Sequence, residues 1–521
     1  MIGNENIYKQ IKEFGDYQTP EYFVEKVCYY INQKLNIKPD IIIEPTFGLG
    51  NFVTGSLKSF DSIKKIFGIE INSNYFNFAK NSIDQKINGK KIEIKMFNEN
   101  IFSFDFESLK ESISKKDNLL IIGNPPWVTN SELESLKSYN IPLKDNFKGL
   151  KGLDAITGKG NFDIAEYILL QLLSEFKNYD CTIAMLCKNI VARNIVRDLD
   201  KYKFKLSEIR MINFDAREVF NVNCDAGLLI MKLGQTSNFI CDVYDFKNDS
   251  NKIKSFGWVN NNFISDIDKY DIGIDGISQL VWRQGIKHDC SKVMELSLKY
   301  NNSFKNGFQE DVEIEDYYIY PLLKSSDLKK TVITKTRKNV IVTQKKVKEE
   351  TESIKLNSPK LWDYLLSHSK ELDNRKSSIY KNSPRFCVFG VGDYSYKPYK
   401  VCLSGFYKEP IFALVYNEIK RPVMLDDTCY LLGFDNYKTA LITMILLNST
   451  LVYNFLKSIA FLDSKRPYTK DLLMRIDLLN LTKKINFTDF FTIANTLKIE
   501  NNLIEQDYKD YIKRISSNME K

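Results

Sequence analysis

Leu119-Leu120-Ile121-Ile122-Gly123-Asn124-Pro125-Pro126-Trp127 is an apolar run that ends in glycine and then breaks. Five residues of this kind, bounded by turn formers, read as a buried strand leaving its sheet. Two prolines in succession continue neither a strand nor a helix and fix φ, so the turn is stiff. It presents the Asn124 carboxamide with the Pro125 carbonyl beside it, and the Trp127 ring. A carboxamide oxygen and a carbonyl both accept hydrogen bonds from one NH2 group, and an indole stacks on a flat heterocycle. Such a turn suits an aromatic amine, for example the exocyclic amine of a nucleobase.

Upstream, Ile41-Ile42-Ile43-Glu44-Pro45-Thr46-Phe47-Gly48-Leu49-Gly50-Asn51-Phe52 is a strand ending in an acid, followed by a glycine turn that opens a helix. Glycines let the backbone approach a ligand closely. The third glycine of a dinucleotide turn is absent, and there is no phosphate-loop lysine motif. An acid at the strand tip repels phosphate but suits a ligand carrying an ammonium or sulfonium charge. A second strand, Ile66 to Glu70, also ends in an acid, placed where doubly wound folds bind ribose hydroxyls. Strands at Glu93 to Phe97, Cys181 to Leu186, Glu208 to Phe214 and Ala226 to Lys232 follow, the last two joined closely enough for an antiparallel pair. Helices are expected over residues 1–14, over Glu21 to Leu35 with Thr19 as N-cap and Pro20 in the first turn, over Phe162 to Phe176, and from Asn189. A loop rich in Gly, Lys and Asn spans residues 142–161. Seven strands interleaved with helices indicate an α/β sheet covered on both faces.

The chain has 521 residues, enough for two or three domains. A polar stretch at Gly234 to Asn238 marks a boundary, giving domains at 1–235 and 236–521. No apolar run reaches the ~18 residues of a membrane span, and the N-terminus lacks a signal core, so a cytoplasmic location with no membrane partner is expected. Nine cysteines without a CxxC pair, and only two histidines, His288 and His368, argue against a metal site and against histidine acid–base catalysis. Net charge is +8, and residues 1–240 carry 31 Lys and Arg against 30 Asp and Glu, so almost all the excess lies downstream. Residues 321–348 hold nine cations against one acid, Asp327. Basic surface confined to one half suggests that this half meets a polyanion. Aromatics, glycines and cations alternate through Val281 to Gly285, Tyr317 to Leu323 and Phe386 to Lys408. The cations Lys345, Lys346, Lys397, Lys400, Lys465 and Arg466 are the candidate phosphate contacts.

The order Gly15-Asp16-Tyr17-Gln18-Thr19-Pro20, then EPTFGLGNF from Glu44, then GIEIN from Gly68, then GNPPW from Gly123, resembles the class gamma adenine-N6 DNA methyltransferases of type II restriction–modification systems. The resemblance covers residues 16–232. It implies a Rossmann-like, seven-stranded S-adenosylmethionine-dependent methyltransferase domain, followed by an α+β target recognition domain with C-terminal helices. Leu446 to Ser449 and Lys465-Arg466-Pro467 resemble segments of that recognition half. The resemblance further implies that Asn124, Pro125, Pro126 and Trp127 carry the chemistry, with S-adenosylmethionine held by Thr19, Pro20, Glu44, Thr46, Gly48, Gly50, Glu70, Ile71, Asn100 and Ile101. Asn100 stands where the family usually has Asp. Trp127 and Phe220 are expected on the two faces of a flipped-out adenine. Double-stranded DNA is the expected partner, a separately encoded nuclease the expected companion, and a monomer the expected state; no nuclease motif is fused to the chain. Open alternatives are a cytosine-N4 enzyme (which usually has Ser in place of Asn124), a protein glutamine methyltransferase, and a catalytically inactive DNA-specificity protein.

Overall fold

The computed structural model describes residues 17–86, 91–129, 163–234, 236–249, 251–298, 303–418 and 421–517. The helix expected over 1–14 and the loop at 142–161 lie outside the described residues. The chain divides into two compact units, Met1–Asp268 and Lys269–Lys521.

The first unit is built on one sheet. Its strands are β1 (Ile41–Glu44), β2 (Lys65–Ile69), β3 (Glu93–Phe97), β4 (Leu119–Gly123), β5 (Cys181–Lys188), β6 (Leu206–Asp215), β7 (Asp225–Leu233), β8 (Ile240–Asp245), β9 (Lys254–Val259) and β10 (Asn262–Ile264). They lie in the order β10-β9-β8-β6-β7-β5-β4-β1-β2-β3. Helices α1 (Glu21–Tyr29), α2 (Asn51–Ser59), α3 (Ser73–Lys86), α4 (Phe106–Lys110), α5 (Ile164–Phe176), α6 (Asn189–Tyr202) and α7 (Ala216–Phe220) fall between them. Every residue of β1 and β4 is buried, as central parallel strands with both faces covered must be. Ile43 sits between Phe67 and Ile121 in register. β7 runs antiparallel to both neighbours, Leu228 facing Leu186 on β5 and Ile212 on β6. The chain leaves β1 toward β2 on one side and β4 toward β5 on the other. Strand order therefore reverses between β1 and β4, and a crevice opens beyond their carboxyl ends.

Three expectations need correction. The sheet has ten strands, not seven: β8 joins the free edge of β6 in parallel, Arg210 beside Asp242, and β9 and β10 extend it. The chain thus stays in the first sheet past residue 235, and the division falls at Asp268. Thr19 is not the cap of α1. Pro20 occupies the N-cap in extended conformation and its carbonyl accepts from Phe23 and Val24 N–H, which leaves Thr19 free to face the crevice.

The second unit is α+β. It holds a five-stranded sheet including Tyr399–Ser404 and Cys429–Phe434, a six-stranded sheet including Ile319–Leu323 and Lys338–Ile341, and helices from Tyr437 to Ser517. No single helix among the described residues is long and apolar enough to cross a membrane. The most apolar, Tyr437–Leu447, is buried from Ala440 onward.

Candidate active site

The crevice between β1 and β4 is shaped by the turn after β1. Gly48 and Gly50 adopt φ of +53° and +78°, conformations that side chains disfavour. A Cβ at Gly48 would sit 2.8 Å from the Gln18 amide, so the backbone there is packed without room to spare. The turn closes through Gly50 N–H to the Phe47 carbonyl at 2.7 Å and is tied to the next strand through Phe47 N–H to the Ile69 carbonyl. Glu70, one residue past β2, accepts from Gly48 N–H at 2.8 Å and from Asn72 N–H at 2.7 Å. Its carboxylate thus braces the glycine turn from below, one oxygen for each strand-end loop.

Glu44 is buried, and its Oε2 has no hydrogen-bond partner. Burial, reinforced by the nearby charge of Glu70, holds its carboxyl well above the usual carboxylate range. An orphaned acid oxygen in a cleft is costly, about 1–3 kcal/mol, and it awaits a donor. Thr19, Glu44, Thr46, Gly48, Glu70, Ile71, Asn100 and Ile101 all line this one cleft. Pro20 and Gly50 do not; they set the backbone around it. Asn100 Oδ1 accepts from Phe102 N–H at 3.0 Å, so its amide is committed in part to its own loop.

Asn124 and Pro126 complete the cleft wall. Asn124 Nδ2 donates to the Tyr17 carbonyl at 2.8 Å. Only the NH2 end of an amide can face a carbonyl, so the orientation is forced. Oδ1 is left buried and without a partner. The backbone carbonyl of Asn124 is itself approached by Thr46 Oγ1 at 3.5 Å, which ties the two strand-end turns together. The arrangement is a buried acceptor in the wall of a cleft that also holds two acids, Glu44 and Glu70.

Trp127 is only 4% exposed and is not on the cleft wall. Its ring packs edge-on to Phe220 at 5.2 Å and lies 6.1 Å from Tyr17 and 6.5 Å from Phe214. Phe220, at the end of α7, is half-buried. Both expected stacking rings are therefore neighbours, but Trp127 is packed as core.

Gln18 and Asn51 escaped the sequence reading as site residues. Gln18 Oε1 accepts from Leu49 N–H at 3.1 Å, and Asn51 Nδ2 donates to the Thr19 carbonyl at 2.8 Å. Their presence inside the two quoted motifs was the available signal.

In the second unit, Lys345, Lys346 and Lys465 are exposed. Lys397 pairs with Asp435 at 2.5 Å. Arg466 donates to the Asp427 carbonyl at 3.1 Å, approaches its carboxylate and lies over the Phe406 ring. Lys400 contradicts the expected phosphate contact: it is fully buried within Tyr399–Ser404, and its Nζ donates to the Lys397 carbonyl at 2.6 Å. Its register between Val415 and Gly433 turns it inward. No group of His, Cys, Asp and Glu that could hold a metal ion occurs among the described residues.

No family model matches the chain. It is 42% identical over 484 residues to the type II methyltransferase M.NspV of Nostoc sp., a match spanning 92% of this chain and 99% of that protein. Among solved structures it is similar to the methyltransferase subunit of a type I restriction–modification system from Streptococcus thermophilus, at 15% identity over 50% of this chain and 53% of that one, with a TM-score of 0.31. It is also similar to a dimethyladenosine transferase from Plasmodium falciparum, at 14% identity over 42% and 64% of the two chains, with a TM-score of 0.26.

Proposed function

The chain belongs to the type II methyltransferases, and from that premise we propose that it is a restriction–modification DNA methyltransferase that methylates the N6 amine of adenine from S-adenosylmethionine. The observation that carries the adenine reading is the Asn124 carboxamide, with Nδ2 fixed on the Tyr17 carbonyl and Oδ1 buried and open.

The cleft suits S-adenosylmethionine on its own chemistry. The orphaned Glu44 Oε2 offers an acceptor to an ammonium, whose charge would favour the ionised carboxylate. Gly48, at a φ of +53°, brings its backbone to the cleft wall. Glu70 stands ready for ribose hydroxyls, and Ile71, Asn100 and Ile101 for the adenine of the cofactor. When bound, S-adenosylmethionine supplies an electrophilic methyl group on a good leaving group.

The chain's part is orientation. An aromatic amine is a poor nucleophile because its lone pair is delocalised into the ring. Asn124 Oδ1 and the Pro125 carbonyl accept its two N–H bonds, which localises the lone pair on nitrogen and aims it across the cleft. No histidine is required, because the proton leaves only after the new bond forms. A base inside a duplex is out of reach of such a buried acceptor, so the adenine is flipped out and received beside Trp127 and Phe220. The Lys269–Lys521 unit is the target recognition domain, with Lys345, Lys346 and Lys465 as its exposed cations toward phosphate, Lys345 lying over the Tyr317 ring, and Lys397 and Arg466 as partly committed ones. The enzyme acts as a monomer on double-stranded DNA, with its cognate nuclease on a separate chain.

The test is to express the chain in a host lacking DNA methylation and digest the DNA to nucleosides. N6-methyladenine is the expected product. N4-methylcytosine would overturn the choice of base, and methylated protein glutamine with unmodified DNA would overturn the DNA substrate. Long-read sequencing of the same DNA gives the recognition site.

A further inference from the structure

Residues 17–19 join the two halves of the cleft with three consecutive bonds. The Tyr17 carbonyl takes Asn124 Nδ2 at 2.8 Å, Gln18 Oε1 takes Leu49 N–H at 3.1 Å, and the Thr19 carbonyl takes Asn51 Nδ2 at 2.8 Å. One end of this strap holds the amine receptor. The other holds the glycine turn and the first residue of α2. Its downstream end is anchored, because Pro20 leads into α1, whose Phe23, Val24 and Val27 are core residues. Its upstream residue also touches the stacking pair, with the Tyr17 ring 6.1 Å from Trp127 and 6.3 Å from Phe220.

We propose that Gln18 is a positioning residue through which filling of the glycine-turn cleft steadies the Asn124 carboxamide in its receptor orientation. The inference rests on the methyl-transfer reading of this site. Adjacent residues of an extended strap stand only about 3.3 Å apart, so a displacement of one is felt by the next. The Gln18 amide is packed on Gly48, at 2.8 Å from where a Cβ would stand, and it grips the following N–H. A ligand that presses on or orders the Gly48–Leu49 backbone therefore acts on Gln18 directly, and the Tyr17 carbonyl is the next group along the chain. Asn124 Nδ2 bonds the Tyr17 carbonyl, and that carbonyl decides which end of the amide faces the cleft. Filling the cleft thus steadies, through the strap, an amide that the Tyr17 carbonyl already holds with Oδ1 open.

The experiment uses the full chain with Gln18→Ala and Gln18→Glu, the latter keeping an acceptor for Leu49 N–H. Single-turnover transfer from tritiated S-adenosylmethionine to unmethylated phage DNA is measured at saturating cofactor, and cofactor affinity is measured separately by calorimetry. A small misplacement of a reacting group costs about 10–100-fold, so Gln18→Ala is expected to lose that much rate while cofactor affinity changes by less than about 5-fold, with Gln18→Glu recovering most of the rate. A full rate at saturating cofactor, with any loss confined to affinity, overturns the proposal. A measurement on the unaltered chain guards against a variant that fails to fold. S-adenosylhomocysteine alone, without DNA, must change the Trp127 emission, identified by difference from Trp127→Phe; an unchanged signal overturns the coupling. An unaltered chain that shows this change yet transfers no methyl to DNA removes the DNA reading and leaves the strap standing.

Discussion

The carboxamide of Asn124 is held by the carbonyl of Tyr17, 107 residues earlier in the chain, at 2.8 Å. A main-chain carbonyl cannot be removed by mutation, so it orients the amide whatever side chain stands at 17. What the amide does can be tested at Asn124. Removing a single preorganised hydrogen-bonding group from a reacting centre costs about 10²–10³ in rate, so Asn124→Ala should lose that much methyl transfer or more. Cofactor affinity should stay within about 3-fold, because Oδ1 is unpaired in the free protein and its loss leaves only Nδ2's bond unmade. Rate comparable to the unaltered chain would sink the mechanism.

The two glycines of the β1 turn separate strain from binding. Gly48→Ala and Gly50→Ala both force a side chain into positive φ, which costs about 1–2 kcal/mol each. At Gly50 the new methyl meets Ala79 Cβ at 3.1 Å and Ile83 Cδ1 at 3.3 Å, inside the core of α3. At Gly48 it meets the Gln18 amide and enters the cleft. Urea denaturation should show a similar loss for both, while calorimetry should show at least about 10-fold weaker S-adenosylhomocysteine binding for Gly48→Ala alone, the equivalent of 1.4 kcal/mol. Equal binding by the two variants would mean that the turn is structural only.

The strands β1 to β7 were legible as apolar or alternating runs bounded by turn formers, and β1 ends in Glu44 while β2 runs directly into Glu70, the two acids of the cleft. β8 was not: Ile240-Cys241-Asp242-Val243-Tyr244-Asp245 mixes acids into its run, and what makes it a strand is a partner 32 residues away, with Arg210 beside Asp242. Local pattern does not report such pairing. The same applies to Gln18 and Asn51, whose bonds cross 31 and 32 residues. Lys400 misled for a related reason. In Tyr-Lys-Pro-Tyr-Lys it reads as cationic surface, and only the register of its two neighbouring strands reveals that it points inward.

Trp127 requires a gentler substitution than alanine. At 4% exposure among Tyr17, Phe214 and Phe220, its removal should cost about 3–5 kcal/mol of stability, and the loss of activity would then report unfolding. Trp127→Phe keeps a ring and discards Nε1, which is buried without a partner. This variant should remain folded within about 2 kcal/mol and still stack a base, because a phenyl ring also presents a π face. Fluorescence of 2-aminopurine at the target position checks flipping; a normal signal in Trp127→Ala that had stayed folded would remove Trp127 from base capture.

The exposed cations of the second unit should be visible in salt dependence. Each phosphate contact contributes about 0.9 to the slope of log K against log salt, so Lys345→Gln, Lys346→Gln and Lys465→Gln should each reduce the slope by up to about 1. Arg466→Gln should act mainly on stability, since its guanidinium already serves Asp427 and covers Phe406. An unchanged slope in the triple lysine variant would place the DNA on another face.

Lys400 gives the opposite prediction, an effect on stability and none on DNA affinity. Burial pushes its ammonium down to about 7, with the Lys397 carbonyl as its acceptor. In the unfolded chain the ordinary value is about 10.4. Between those values the unfolded chain carries a proton that the folded chain lacks, so stability rises with pH across this window. At and below pH 7 both states are charged and the full cost of the buried ammonium is present. Lys400→Met, of similar shape and without charge, should therefore stabilise the fold by on the order of 1–3 kcal/mol at pH 6.5, and the gain should shrink steadily toward pH 10. Urea denaturation at four pH values checks the trend. A gain independent of pH would mean that the Lys400 ammonium titrates alike in the folded and unfolded chain, and a loss of DNA binding would return it to the surface.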